Sequence, residues 1–233
     1  MRPAAWHTEE RPLLTFARNM FTRYIAIAVN VLIGLVMLPL NVHYLGASAY
    51  GLWMLTASIT TYFSVLELGY GSAVVKFVAE YRAKKDAQAL NEILSTLFTV
   101  FTIMGVVVYA IALIVAALMP VIFNLEPSQV DVGRAVLLII AANVTLHFIF
   151  SVYGGVVNGF QYYYLNNVIG TVTTMAGAAV NVLVLWLGYG LVELVAATTL
   201  VRVAPYYLYR RNAKRAFPPL ALRFSSFRRE RLR

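Results

Sequence analysis

The chain has 233 residues, of which 61% are hydrophobic and only 12% are charged. Soluble domains usually carry about 25% charged residues, so this composition leaves too little polar surface for a soluble fold. The net charge of +9 does not indicate a nucleic-acid partner, because the basic residues flank long apolar runs. No cysteine is present, which excludes disulfides, cysteine-ligated metals and cysteine nucleophiles.

Six apolar segments follow one another along the chain, and each is long enough for a helix to cross the hydrocarbon core. They cover residues 21–44, 50–78, 93–123, 135–157, 164–187 and 191–209, with Gly46 closing the first. The first segment is too long for the apolar part of a signal peptide, and no small-residue cleavage site follows it. The sequence predicts an all-α, polytopic membrane protein with about six transmembrane helices in residues 19–210. Residues 1–18 are predicted to be a cytoplasmic segment and residues 211–233 a basic cytoplasmic tail or linker.

Lysine and arginine residues predict the orientation of these helices. They are concentrated before the first segment, in the loop after the second and in the tail. The loops after segments one, three and five contain a single one, Arg134. Cytoplasmic loops are enriched in Lys and Arg, so both termini are predicted to lie in the cytoplasm. An even number of spans agrees with this orientation.

Four of the predicted helices carry polar or small residues at spacings that return to one helical face. These stripes are Arg23, Asn30, Gly34 and Asn41 in the first helix, Trp53, Thr56, Thr60, Ser64, Glu67 and Gly71 in the second, Asn143, His147, Ser151, Gly154 and Asn158 in the fourth, and Gly170, Thr174, Gly177 and Asn181 in the fifth. Small and weakly polar residues commonly mediate contacts between membrane helices. We interpret the Ser, Thr and Gly positions in this way, including the Gly155–Gly159 spacing.

Ionisable side chains inside the apolar runs are stronger candidates for function, because a charge at the bilayer centre costs about 2.5–3.5 kcal/mol on insertion scales. Glu67 lies inside the second run. Arg202 lies in the last run, where it either snorkels to the cytoplasmic surface or has a role inside the bundle. Arg18, Arg23 and Lys76 lie near the predicted cytoplasmic edge, where they either serve as topology signals or take part in function.

No P-loop, HExxH motif, nucleophile elbow or acidic metal cluster occurs in the sequence. The chain has three histidines and few acids within its apolar runs. We therefore expect no enzymatic activity, no cofactor and no metal site, which leaves transport or a structural role.

Several local patterns over residues 15–210 resemble the polysaccharide (O-antigen type) flippases of the multidrug/oligosaccharidyl-lipid/polysaccharide exporter superfamily. These patterns are Tyr44-Leu45-Gly46-Ala47, Tyr50-Gly51-Leu52-Trp53, Tyr62-Phe63-Ser64, Glu67-Leu68-Gly69-Tyr70-Gly71-Ser72, Phe77-Val78-Ala79-Glu80-Tyr81, Gly154-Gly155-Val156-Val157-Asn158-Gly159-Phe160-Gln161, Tyr163-Tyr164-Leu165-Asn166-Asn167, and Asn181 followed by Gly188-Tyr189-Gly190-Leu191. Glu67 stands where members often carry Asp, and Tyr162 stands where they often carry a basic residue.

The resemblance implies one six-helix lobe of a two-lobe transporter that moves undecaprenyl-diphosphate-linked oligosaccharide across the inner membrane by alternating access. The second six-helix lobe would be a missing C-terminal half, as we expect, or another copy of the chain. The implied partners are therefore the lipid bilayer, an anionic lipid-linked oligosaccharide and that second lobe.

The resemblance also implies roles for the candidate residues. Arginine meets phosphate oxygens with a planar fork of donors, so arginines are expected to face the diphosphate. The implied substrate contacts are Arg18, Arg23 and Arg202 with the diphosphate, Asn30, Asn41 and Asn181 with sugar hydroxyls, and Glu67 in a switching ion pair with Lys76 or Arg23.

Two other functions remain open. A cation-coupled multidrug exporter of the same superfamily usually carries acids in its early helices, whereas the first span here has Arg23 and no acid. The other alternative is a non-transporting membrane protein made by a truncated chain.

Overall fold

Seven helices account for most of the chain in the computed structural model, which describes residues 12–64, 70–123 and 125–224. They are α1 (Pro12–Ser64), α2 (Tyr70–Ala83), α3 (Ala87–Ile122), α4 (Pro127–Gly159), α5 (Tyr163–Trp186), α6 (Leu191–Val203) and α7 (Tyr206–Ala216). No strand occurs within the described ranges. In the part of the chain that the structure describes, five helical stretches are long and apolar enough to cross a membrane: Leu13–Ile59, Ala87–Ile122, Pro127–Gly159, Tyr163–Trp186 and Leu191–Ala216. The predicted all-α polytopic membrane fold is confirmed.

The first two predicted spans meet inside α1, where Gly46 interrupts the helix. Gly46 has φ 77° and ψ 162°, a conformation that is essentially restricted to glycine. Asn41 and Trp53, on either side of it, line the same cavity. A straight helix would separate these two residues by about 18 Å. The chain therefore turns back at Gly46, the residue at which the first apolar segment was predicted to end.

The second predicted span continues in α2, which packs closely against α4. A Cβ added at Gly159 would lie 2.5 Å from Cβ of Val78, and one added at Gly155 would lie 2.6 Å from Cγ1 of Val74. Both glycines and both valines are spaced four residues apart, so one face of α2 fits the small-residue face of α4. The interpretation of Gly155 and Gly159 as helix-contact residues is confirmed.

The third and fourth predicted spans correspond to α3 and α4, which share much of the buried core. Phe101 of α3 and Phe148 and Leu137 of α4 are almost completely buried. Halfway along the pair, Thr145 Oγ1 donates a hydrogen bond to the carbonyl oxygen of Gly105, 3.0 Å away. Gly105 allows this approach because a Cβ there would lie only 3.0 Å from the carbonyl oxygen of Thr145.

The sixth predicted span is divided into α6 and α7 at Pro205, and the chain then crosses the start of α3. Phe217 is completely buried and Leu220 is nearly so. We call residues 217–224 the strap. The predicted tail thus begins inside α7 and continues as the strap, while residues 225–233 lie outside the described residues.

Basic residues are concentrated at one end of the helix bundle, which we call the basic end. Here Asn19 of α1 contacts the α4–α5 turn, since its Nδ2 donates to the carbonyl oxygen of Gln161, 2.8 Å away. The guanidinium of Arg82, at the end of α2, lies 5.0 Å from the ring centroid of Phe160, and the ring of Phe217 lies 6.2 Å from the same ring. The start of α1 and the strap therefore lie at the same end, as an even number of spans predicts.

Candidate functional site

Three adjoining cavities form a polar groove that is lined by α1, α2, α4, α5, α6 and α7. The entrance cavity, about 550 Å³, lies at the basic end; the middle cavity is about 600 Å³ and the inner cavity about 300 Å³. The entrance and middle cavities share Asn158 and Asn166 as lining residues. The middle and inner cavities share Thr173, Thr174 and Arg202. These shared residues make the three cavities one groove.

The polar stripes predicted from the sequence supply 14 of the 34 described residues that line the groove. The stripe of the fourth span lines the middle cavity along its whole length, through Asn143, His147, Ser151, Gly154 and Asn158. The fifth-span stripe passes from the middle cavity to the inner one, through Gly170, Thr174, Gly177 and Asn181. The helical period places each stripe on one face, and the packing of the helices brings these faces together.

Four buried amide atoms in the groove wall have no hydrogen-bond partner among the described residues. They are Asn41 Oδ1, Asn143 Nδ2, Asn166 Oδ1 and Asn181 Oδ1. Asn41 and Asn181, which both line the inner cavity, are only 5% and 6% exposed. An unsatisfied buried polar group costs about 1–3 kcal/mol. The groove wall therefore contains hydrogen-bonding capacity that the described residues do not use.

Two arginines give the groove a positive charge. Arg23 lines the entrance cavity, and Arg202 lines both the middle and inner cavities. Neither forms an ion pair within the described ranges, where the pairs are Lys84–Glu80 and Arg134–Asp131. No Asp or Glu lies among the described lining residues. A cationic groove without a described counter-charge is suited to an anionic ligand.

The structure brings five of the eight predicted site residues into the groove. They are Arg23 in the entrance cavity, Asn30, Asn41 and Asn181 in the inner cavity, and Arg202 between the middle and inner cavities. Arg18 lies beside the entrance, with its guanidinium carbon 4.1 Å from the ring centroid of Tyr164. Lys76 is exposed on α2 and lines none of the three cavities. Glu67 lies outside the described residues, and the predicted ion pair of Glu67 with Lys76 or Arg23 lies outside them as well.

Sequence reasoning did not select Asn166, although this side chain connects two walls of the groove. Its Nδ2 donates to Oδ1 of Asn158, 2.8 Å away, and to the carbonyl oxygen of Gly154, 2.9 Å away. The available signal was an Asn-Asn pair at residues 166 and 167, one turn into a predicted helix. A side-chain amide at such a position needs a hydrogen-bond partner within the membrane. This requirement would have justified selecting Asn166 as a site residue.

Asn19 was also missed, and no local pattern points to it. Its Nδ2 donates to the carbonyl oxygen of Gln161, and its Oδ1 accepts from the backbone N–H of Tyr164, 2.8 Å away. Asn19 therefore caps the start of α5 from another helix and forms part of the entrance cavity wall. Its partners lie more than 140 residues away in sequence, so only the fold reveals its role.

Comparison with known proteins identifies a family for this chain. The model of the polysaccharide biosynthesis protein family matches residues 16–229. The matched range includes every helix described above apart from the first turn of α1, and it includes the whole groove. Neither the comparison with curated proteins nor that with solved structures gives a match.

Proposed function

Because the chain belongs to the polysaccharide biosynthesis protein family, we propose that it is the membrane lobe of a flippase for undecaprenyl-diphosphate-linked oligosaccharides. The observation that carries the proposal is the polar groove, where two arginines form no ion pair and four buried amide atoms have no hydrogen-bond partner among the described residues. A cargo with an anionic diphosphate and a hydroxyl-rich glycan matches both features.

Arg23 and Arg202 are proposed to bind the diphosphate at two positions along its path. Each guanidinium presents a planar fork of N–H donors that fits phosphate oxygens. Arg23 is in the entrance cavity and Arg202 is at the junction of the middle and inner cavities. A diphosphate would therefore meet Arg23 first and Arg202 deeper in the bundle. Arg18, stacked on Tyr164 beside the entrance, adds positive charge to the approach.

The glycan is proposed to hydrogen-bond with the groove amides. The orphan atoms of Asn41, Asn166 and Asn181 are carbonyl oxygens, which accept hydrogen bonds, whereas that of Asn143 is a nitrogen, which donates. Sugar hydroxyls both donate and accept, so a glycan is chemically compatible with both kinds of amide atom. Asn30 lines the same inner cavity as Asn41 and Asn181 and adds a further amide.

The membrane location and the transport cycle belong to the same proposal. The positive-inside rule places the basic end in the cytoplasm, so that cargo enters the entrance cavity from the cytoplasmic leaflet of the inner membrane. Moving the cargo across requires a second six-helix lobe that faces the groove and an alternation between two openings. The proposed activity is translocation without a chemical reaction, so the protein acts as a transporter and not as an enzyme.

Ligand binding tests the proposal without requiring the second lobe. We would measure binding of undecaprenyl diphosphate, undecaprenyl monophosphate and undecaprenol to the purified chain in detergent micelles. We expect the affinity to fall in that order. Arg23→Gln and Arg202→Gln should each weaken diphosphate binding about 10- to 100-fold, because hydrogen bonds to charged groups contribute about 1.5–3 kcal/mol.

Lys85→Gln is the matched control, since Lys85 is exposed, lies at the basic end and lines none of the cavities. It should leave diphosphate binding within threefold of wild type. Equal affinity for undecaprenol and undecaprenyl diphosphate would contradict the proposal. So would Arg202→Gln and Arg23→Gln variants that bind the diphosphate as tightly as wild type.

A further inference from the structure

One face of α7 changes from apolar to basic along the helix. Near its start, Tyr207 and Leu208 are 70% and 41% exposed. One to two turns later, Arg211, Lys214 and Arg215 are exposed on the same face. We call these five residues the α7 outer face. The distance from Leu208 to Arg215 along the helix axis is about 10 Å. This length is comparable to the depth over which a membrane surface changes from acyl chains to headgroups.

The opposite side of α7 is fixed to the bundle. Tyr206 and Ala213 are buried, and the ring of Tyr206 stacks on that of Phe150 with 4.7 Å between centroids. The outer face therefore has a fixed direction, and little backbone conformational entropy is lost when it binds a ligand.

The strap fixes the end of α7 and adds another basic residue. Asn91 of α3 donates from Nδ2 to the carbonyl oxygen of Pro219 and accepts at Oδ1 from the backbone N–H of Ala221, both at 2.9 Å. Two residues later, the backbone N–H of Arg223 donates to Oγ of Ser95, 3.3 Å away. The exposed Arg223 is thus held at the basic end together with α7.

The positive charge of α7 is not compensated within the described ranges, where neither ion pair involves a residue of α7 or the strap. Glu80, an acid at the same end, is already paired with Lys84 at 2.6 Å. The hydrogen bond and the charge of that lysine hold the pKa of Glu80 below its ordinary value. A group of basic residues directly next to a membrane-spanning helix attracts anionic lipid, and each contributes roughly fivefold to the affinity.

We propose that the α7 outer face, with Arg223, binds the headgroup of an anionic phospholipid in the leaflet at the basic end. The phosphate of the lipid meets Arg211, Lys214 and Arg215, and its acyl chain lies against Tyr207 and Leu208. A lipid fits this face better than a soluble anion because the apolar residues and then the basic residues follow one another along the same face of one helix. Tyr206 and Tyr209, on the opposite side of the same helix, line the middle cavity, so α7 lies between the bound lipid and the groove.

The test is lipid binding by native mass spectrometry of the purified chain, with phosphatidylglycerol and phosphatidylcholine of the same acyl chains. Wild type should prefer phosphatidylglycerol. Arg211→Gln/Arg215→Gln should weaken that binding roughly thirtyfold, since two cations are removed. The matched control, Lys76→Gln/Lys85→Gln, removes two exposed charges from α2 and the α2–α3 turn and should change it less than threefold.

Three results would overturn the proposal: equal binding of the two lipids, an equal loss in the control variant, or displacement of phosphatidylglycerol by millimolar inorganic phosphate. The last result would indicate a site for a soluble anion. If the first variant does not fold, Lys214→Gln/Arg223→Gln provides the same test with exposed side chains. Undecaprenyl diphosphate binding should be unchanged in either variant, which separates this site from the groove.

Discussion

Nδ2 of Asn166 lies 2.8 Å from Oδ1 of Asn158, so that a side-chain hydrogen bond joins α5 to α4 where the entrance and middle cavities meet. The bond has two consequences. It holds two walls of the groove together, and it directs Oδ1 of Asn166 into a buried position without a partner among the described residues. The same side chain therefore supports the groove and retains an acceptor that no described residue uses.

A double-mutant cycle of Asn158→Ala and Asn166→Ala should show a coupling energy of about 0.6 kcal/mol and at most about 1.7 kcal/mol, the range seen for hydrogen bonds between membrane helices. The measurement is the free energy of unfolding in mixed detergent micelles. A cycle of Asn158→Ala with Asn91→Ala is the control, because Asn91 contacts the strap instead. The two control substitutions should be additive. Additivity in the Asn158–Asn166 cycle would show that this bond does not contribute to stability.

Gly159→Ala should destabilise the fold by about 1–3 kcal/mol, the usual cost of overpacking. The added Cβ would lie 2.5 Å from Cβ of Val78, so α2 must move away from α4. Gly170→Ala is the control, since no atom lies within 4 Å of a Cβ at that position. It should be neutral or slightly stabilising in the same unfolding experiment. Equal effects of the two substitutions would mean that the α2–α4 contact is less close than the structure indicates.

Local patterns along the chain predicted much of this architecture. Apolar segments of membrane-spanning length located the helices, and Gly46 marked the end of the first segment. Gly46 and Gly188, which follows α5, both have positive φ, a conformation that other residues adopt only with strain. Gly46 therefore offers a direct comparison with a nearby glycine in regular helix.

Gly46→Ala should destabilise the protein by about 1–3 kcal/mol through backbone strain alone, since there is open space around a Cβ at that position. Gly51→Ala is the matched control, because Gly51 lies five residues later in helical backbone and also has open space around it. That substitution should be neutral or stabilising. Thermal unfolding of the two variants in detergent gives the comparison. A Gly46→Ala variant as stable as Gly51→Ala would show that the turn at residue 46 does not need glycine.

The absence of native cysteine allows a direct test of the groove by single-cysteine labelling. In a membrane, a cysteine at Thr174 should react with a small, water-soluble methanethiosulfonate, because this residue lines the middle and inner cavities. A cysteine at Met175 should react at least tenfold more slowly. Met175 is 54% exposed, but it lines none of the three cavities and is expected to face lipid. Equal labelling rates would contradict a water-accessible groove on this face of α5.

The site was only partly predictable from sequence, and the reason is the distance along the chain between the residues that meet. Helical periodicity identified which residues share one face of a helix, so the stripes of the fourth and fifth spans were correct as sets. Which faces meet depends on packing between helices, as in the approach of Val74 to Gly155. Strap contacts such as Asn91 to Pro219 join residues 128 positions apart and leave no local signal.

Asn19→Ala should loosen the start of α5, because the backbone N–H of Tyr164 donates to Asn19 Oδ1. Removing a hydrogen bond of about 1 kcal/mol should speed hydrogen exchange at the Tyr164 amide roughly fivefold. Asn19→Asp retains the acceptor and places a negative charge at a helix N-terminus, so exchange at Tyr164 should stay close to wild type. Asn30→Ala is the control in the same helix, since Asn30 Nδ2 donates to Ala26 of its own helix and its Oδ1 accepts from Thr174, which lies ten residues beyond Tyr164 in α5. If Asn19→Ala left exchange at Tyr164 unchanged, α5 would be held at this end by packing and not by the Asn19 cap.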